Sequence, residues 1–225
     1  QLHHNNLLYY RGSTESTRTF ERYEKRRQRE MQQLLINVLF PRFTVWDPDR
    51  TLERLLPLIR VATSWLGVLA WFLVVGAGVK VVIDNFAAAR NQMEGVLAPN
   101  NWMLLYGSIV IVKFLHEMGH AALCKRFGGE VHNLGISFLL FTPLPYVDAS
   151  SSWSFRSRWD RALVGAGGMV AELFIAGCAA LVWGSTSGGN LHAVAYNIMW
   201  ICSISTLVFN VNPLVRLDGY YIASD

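Results

Sequence analysis

From Val61 onward the chain alternates between long apolar runs and short polar breaks, whereas its first sixty residues mix charges with scattered apolar positions. The runs near Val61 to Ile83, Trp102 to Cys124, Arg161 to Trp183 and Leu191 to Val211 each have the roughly twenty residues that a helix needs to cross about 30 Å of hydrocarbon. They predict about four transmembrane helices. Upstream, residues 1 to 12 are polar and irregular, and Thr14 to Asn37 reads as an exposed, charged helix. A Pro-interrupted stretch from Phe40 to Pro48 ends that helix. Asp49 to Ile59, with Arg50, Glu53 and Arg54 among leucines, predicts an amphipathic helix at the membrane surface.

Two segments break the pattern. Asp84 to Asn101 reads as a loop. Val131 to Val147 is apolar but short for a span, carries Pro143 and Pro145, and follows Gly128 and Gly129. It predicts a re-entrant hairpin or short strands dipping into the membrane, where open backbone needs protein or a wet cavity to satisfy it. The expected fold is therefore an all-α polytopic membrane protein with a short re-entrant β-like insertion. A cytoplasmic charged and amphipathic region over residues 1–60 would precede a transmembrane core over 61–225, and that core is expected to continue past Asp225.

Composition supports a membrane body. Hydrophobic residues make up 52% of the chain and charged ones only 16%, with eight Trp, which is too apolar a balance for a typical water-soluble globule. Eleven of the twenty Lys and Arg fall within the first sixty residues, so the basic charge sits where a cytoplasmic leaflet would meet it rather than where nucleic acid would bind. Arg54 and Arg60 precede the first run, and Lys125, Arg126, Arg156, Arg158 and Arg161 lie between the second and third. By the positive-inside rule both ends of the core face the cytoplasm, in the inner (cytoplasmic) membrane. Cys124, Cys178 and Cys202 have no paired spacing and read as core thiols.

The chemistry lies in the second run, where Lys113-Phe114-Leu115-His116-Glu117-Met118-Gly119-His120 contains H-E-x-x-H. On a helix, spacing of i and i+4 puts both imidazoles on one face, close enough to hold one Zn²⁺, with Glu117 beside them. Zinc lowers the pKa of a bound water to about 7, and Glu117 as general base can take its proton and pass it to a leaving amine. A charged group in the middle of a spanning helix costs about 2.5 to 3.5 kcal/mol on insertion scales, so a function or a metal must offset Glu117. The bland alternative is a pair of interfacial histidines with Glu117 paired to Lys113.

Two histidines leave a catalytic zinc short of a ligand. Asp218 is the main candidate, because Pro213 can break the fourth helix and Gly219 permits the turn that brings a carboxylate inward. Two crossings separate His120 from Asp218 if Val131 to Val147 does not span, which puts all three donors at one depth, toward the cytoplasm. Asp148, after Pro145-Tyr146-Val147, is the rival. His132 and His192 read as interfacial, and His3 and His4 belong to the polar tail. Gly165, Gly167 and Gly168 suggest a small-residue packing face between helices.

His116-Glu117-Met118-Gly119-His120 in a membrane helix, followed by Asn212-Pro213-Leu214-Val215-Arg216-Leu217-Asp218-Gly219, resembles the site-2 protease family of intramembrane zinc metalloproteases. The likeness is greatest to its bacterial branch of peptide zinc metalloproteases, through Trp46 to Arg50, Cys124 to Gly129 and Leu217 to Tyr221, and covers the chain from about Val45 onward. It implies His116, His120 and Asp218 as zinc ligands, Glu117 as general base, and hydrolysis of membrane-associated or membrane-spanning peptides. It also implies that the stretch after the zinc helix pairs with an unfolded substrate as an added strand.

One departure stands out. Many members carry Gly-Pro-x-x-Asn in the next helix, where this chain has Gly168-Met169-Val170-Ala171-Glu172. Glu172 is either a polar group behind the ligands or a partner for a neighbouring helix. Expected partners are the lipid bilayer and a membrane peptide or protein, with no nucleic acid. A rival reading, favoured by the altered element, is a non-proteolytic scaffold in a peptide-export or secretion assembly, with other membrane or export partners; the intact Glu117 speaks against it. An ion transporter is a third, and would need polar residues on several helices across both leaflets.

Overall fold

The computed structural model describes residues 41–139, 142–215 and 217–225. The expected helix over Thr14 to Asn37, together with His3 and His4, lies outside them. Residues 43–137 with 143–225 form one compact unit.

The described chain is mostly helical. Strand β1 (Arg42–Trp46) leads into helix α1 (Asp49–Ala62), α2 (Trp65–Asp84), α3 (Phe86–Val96), α4 (Trp102–Arg126), strands β2 (Leu134–Leu139) and β3 (Thr142–Val147), α5 (Arg158–Ser185), α6 (Gly189–Ile204) and the short α7 (Asp218–Ser224). The strands form one sheet in the order β1-β2-β3. Strand β1 falls where the sequence suggested only a Pro-containing break; its pairing partner is some ninety residues away, beyond the reach of local pattern.

Three helical stretches are long and apolar enough to cross a membrane: Trp65–Asp84, Arg158–Ser185 and Gly189–Asn210. A fourth arises if α3 and α4, bent by 91° at their junction, count as one. This suggests a membrane protein. The outward character of α2 fits, since 6% of its apolar window is buried against 39% for the other two, leaving Trp65, Phe72 and Leu73 uncovered. An apolar surface of that extent needs a non-aqueous neighbour.

The stretch expected as a loop over Asp84 to Asn101 is instead mostly helix. Ala87, Ala88, Ala89, Gln92 and Glu94 are good helix formers. Tertiary bonds pin it: the Tyr196 hydroxyl donates to Ala89 O and Trp183 Nε1 to Gln92 Oε1. Asn101 and Asn197 exchange amide hydrogen bonds of 2.9 and 3.0 Å where α3 turns into α4.

Two buried apolar clusters flank the polar middle of the bundle. One gathers Val96, Ala180, Trp183, Tyr196 and Met199; the other gathers Leu52, Ala121, Cys124, Val131, Val147 and Val164. The amphipathic α1 joins the second through Leu52. It is also tied to α4 by Asp49, whose two oxygens each accept from Lys125 Nζ at 2.8 Å while Oδ1 also accepts from Val131 N. Burial raises the Asp49 pKa, but the Lys125 and Val131 bonds outweigh it and hold the carboxyl below its ordinary value.

Candidate metal centre

Helix α4 carries His116 and His120 one turn apart, and their depth against α5 is set by the absence of side chains. A Cβ on Gly119 would stand 2.4 Å from Gly167 O, and one on Gly167 would stand 2.7 Å from Gly119 O. The two backbones touch there, as small residues permit between packed helices. One residue on, the His116 ring lies directly over Gly168, where an added Cβ would be 2.4 Å from ring Cε1 and Nε2. The expected small-residue face is thus the seat of the His116 ring.

His120 Nδ1 is 2.7 Å from Val164 O. A carbonyl only accepts, so Nδ1 carries the proton and Nε2 keeps its lone pair. That Nε2 faces His116 Nε2 at 3.0 Å. Asp218 enters as the first residue of α7, its Oδ2 3.1 Å from His116 Nε2 and 3.5 Å from His120 Nε2. Gly219 allows this approach: a Cβ there would meet Asn210 O at 2.5 Å and Val211 O at 2.7 Å.

This largely buried group of His116, His120 and Asp218 can hold a metal ion. The edge of a tetrahedron whose ligands lie about 2.0 to 2.1 Å from its centre is roughly 3.3 Å, and the three separations bracket that value. The polar accounting agrees. Asp218 Oδ2 is buried without an aligned hydrogen bond, although two ring nitrogens approach it, because one of them, His120 Nε2, offers a lone pair rather than a proton. A cation among these atoms satisfies Asp218 Oδ2 and both Nε2 atoms; His116 Nδ1, on the far side of its ring, also lacks an aligned hydrogen bond.

Glu117 lines the same space as His120 and Asp218 and forms no ion pair among the described residues. The suggested Lys113–Glu117 pair is not formed: Lys113 Nζ turns to Glu172 Oε1 at 2.9 Å. Two cavities open on the group. One, of about 360 Å³, is lined in part by Val147, Ser152, Trp153 and Arg161. The other, of about 530 Å³, lies between α4 and α6 and is more apolar, with Leu105, Ile109, Trp200 and Ile204. Glu117 and Asp218 belong to both.

The remaining polar candidates lie elsewhere. Asp148 accepts from Ser150 N and Asn133 Nδ2 and is not one of the converging donors, which removes it as rival third ligand. His132 pairs with Asp47 and Glu130 on the surface. His192 bonds Thr186 and Gln92. Glu172 combines both roles open to it, pairing with Lys113 and standing 3.1 Å from His116 Nδ1. Sequence reasoning missed Ser205, Thr206 and Asn210, whose side chains donate to Glu172. The one signal was their polarity inside an apolar run.

Compared with known proteins, the chain matches no family model, no curated protein and no solved structure.

Proposed function

We propose that this chain is a zinc metalloendopeptidase of the site-2 protease type, embedded in the cytoplasmic membrane with its site toward the cytoplasm, cutting membrane-associated or membrane-spanning peptides. The observation that carries this reading is the convergence of His116 Nε2, His120 Nε2 and Asp218 Oδ2, with separations of 3.0 to 3.5 Å, next to the Glu117 carboxylate. Two imidazoles and one carboxylate form a common catalytic zinc set that leaves a coordination position open. Zinc bound there supplies a Lewis acid for the peptide carbonyl and makes water acidic enough to be deprotonated near pH 7.

The chain's own residues supply the rest. Glu117, one residue from His116 and facing the same cavities, takes the proton of the attacking water and delivers it to the departing amide nitrogen. Val164 O holds the His120 ring in the tautomer that binds metal. The apolar cavity between α4 and α6 suits an apolar substrate segment, and β3, an edge strand ending at Val147 beside the site, offers its backbone to an unwound one. A helical substrate hides its amides in hydrogen bonds, so segments containing Gly, Pro or Asn are preferred.

The orientation is inferred from the positive-inside rule: Arg54 and Arg60 precede α2, and Lys125, Arg126, Arg156, Arg158 and Arg161 fall from the end of α4 to the start of α5. The test is cleavage of a labelled membrane-spanning peptide in lipid nanodiscs by wild type and by Glu117→Gln. Removing the general base is expected to slow cleavage by about 10²- to 10⁴-fold. Equal rates would overturn the hydrolase reading and leave the scaffold.

A further inference from the structure

Glu172 is fully buried, and its two oxygens are surrounded. Oε1 receives Lys113 Nζ at 2.9 Å and the Ser205 hydroxyl at 3.0 Å; Oε2 receives the Thr206 hydroxyl and Asn210 Nδ2. The α6 helix widens over Ser205–Asn210 into a π-type turn, closed by Val211 N donating to Thr206 O. With the bonding step lengthened from four residues to five, positions 205 and 210 come nearly into line, and Asn210 Nδ2 also donates to Ser205 Oγ. The turn therefore aims three polar side chains at one carboxylate.

An ionised carboxylate with its countercharge inside a helix bundle is costly unless every lone pair is used, and here the oxygens are used. What the cluster touches next gives it a purpose. Glu172 Oε1 is 3.1 Å from His116 Nδ1, the ring atom opposite Nε2; the contact is not aligned as a hydrogen bond, so the carboxylate acts on the ring through its charge. Asn210, held from the other side of the carboxylate, offers its carbonyl as the surface on which Gly219 rests, next to Asp218.

We propose that Glu172, held by Lys113, Ser205, Thr206 and Asn210, is the positioning residue of the metal centre. Its negative charge beside Nδ1 favours the His116 tautomer that leaves the lone pair on Nε2, and through Asn210 it sets where Asp218 enters. This rests on the metal-binding reading of the preceding section.

The test uses the full chain in nanodiscs, with zinc affinity measured by competition against a chromophoric chelator and the ligand field read from the visible bands of Co²⁺-loaded protein. Wild type, Glu172→Gln, Lys113→Met and the Lys113→Met/Glu172→Gln double variant are compared, with thermal unfolding in parallel. Glu172→Gln is expected to weaken zinc 10- to 100-fold and to change the Co²⁺ bands. The double variant, which no longer buries an unpaired ammonium, is expected to regain thermal stability without regaining affinity. Glu172→Gln affinity within twofold of wild type overturns the proposal, as does a double variant with wild-type affinity, since the cluster is then only a packing device. Should Glu172→Gln not fold, the Ser205→Ala/Thr206→Val variant is read by the same measurements and limits. A wild type that binds no metal refutes the metal-centre reading itself, a result distinguishable from the others because it needs no variant.

Discussion

Replacing Gly168 by alanine adds one methyl group at the most sensitive place in the bundle. The new Cβ would lie 2.4 Å from His116 Cε1 and Nε2 and 2.6 Å from Nδ1, where ordinary contact begins at 3.4 Å. The ring must retreat by about 1 Å or the helices must part, and Gly119 and Gly167 are already in backbone contact one residue away. A shift of 1 Å is half of a Zn–N bond of about 2.0 Å, and misplacements of that size cost reactions roughly 10²-fold, or about 2.7 kcal/mol. Gly168→Ala is therefore expected to weaken zinc at least tenfold and to slow cleavage of a membrane-spanning peptide about 100-fold. Two controls isolate the cause. Gly76→Ala meets nothing within 4 Å in the interior of α2, so the better helix propensity of alanine, up to about 1 kcal/mol, makes it neutral or stabilising. Gly165→Ala meets side-chain atoms of Ile222, Cγ1 at 3.0 Å and Cδ1 at 3.6 Å, rather than a histidine ring, and should retain most zinc affinity. A Gly168→Ala protein with wild-type affinity and rate would refute the placement of His116.

Further outcomes follow from the same geometry. Asp218→Ala, which leaves two imidazoles without a carboxylate, should abolish stoichiometric zinc, measured by elemental analysis after dialysis, while the helix content read by circular dichroism stays unchanged. Asp49→Asn removes the negative charge paired with Lys125 and one of its two acceptor oxygens, and should cost about 2 kcal/mol of stability. Because the Asp49 pKa is depressed in the fold, its contribution is present above the ordinary carboxylate pKa and fades as pH falls through the folded value; thermal melts of wild type should show that loss in acid and those of Asp49→Asn should not. His132 is raised above its ordinary pKa by its bonds to Asp47 and Glu130. Its stabilising effect is present below the ordinary histidine pKa and fades as pH rises through the folded one, and Asp47→Asn should lower its midpoint in an NMR titration.

Much of this was legible in local pattern. Apolar runs of spanning length foretold α2, α4, α5 and α6 within a few residues, because a helix satisfies its own backbone and requires only a non-aqueous surround. The amphipathic α1 was equally plain. His116 and His120 could be paired on paper, since a four-residue step fixes their common face whatever the rest of the chain does. The Pro and Gly flanking Asp218 marked it as a carboxylate on a turn.

Other features depended on partners far along the chain. Strand β1 exists by pairing with β2, and α3 is held by Trp183 and Tyr196, so neither had a local signature strong enough to be read. Glu172 could be seen as out of place in an apolar helix, yet only the crossing of α4 over α5 showed it behind His116 rather than beside Glu117. The sequence by itself determined α1 and the apolar helices α2, α4, α5 and α6, and which side chains were suited to bind a metal. The tertiary structure alone decided that they meet, because the Gly119–Gly167 contact and the seat on Gly168 fix His116 while the close approach of Gly219 to Asn210 and Val211 brings Asp218, about a hundred positions on, to 3.1 Å from it.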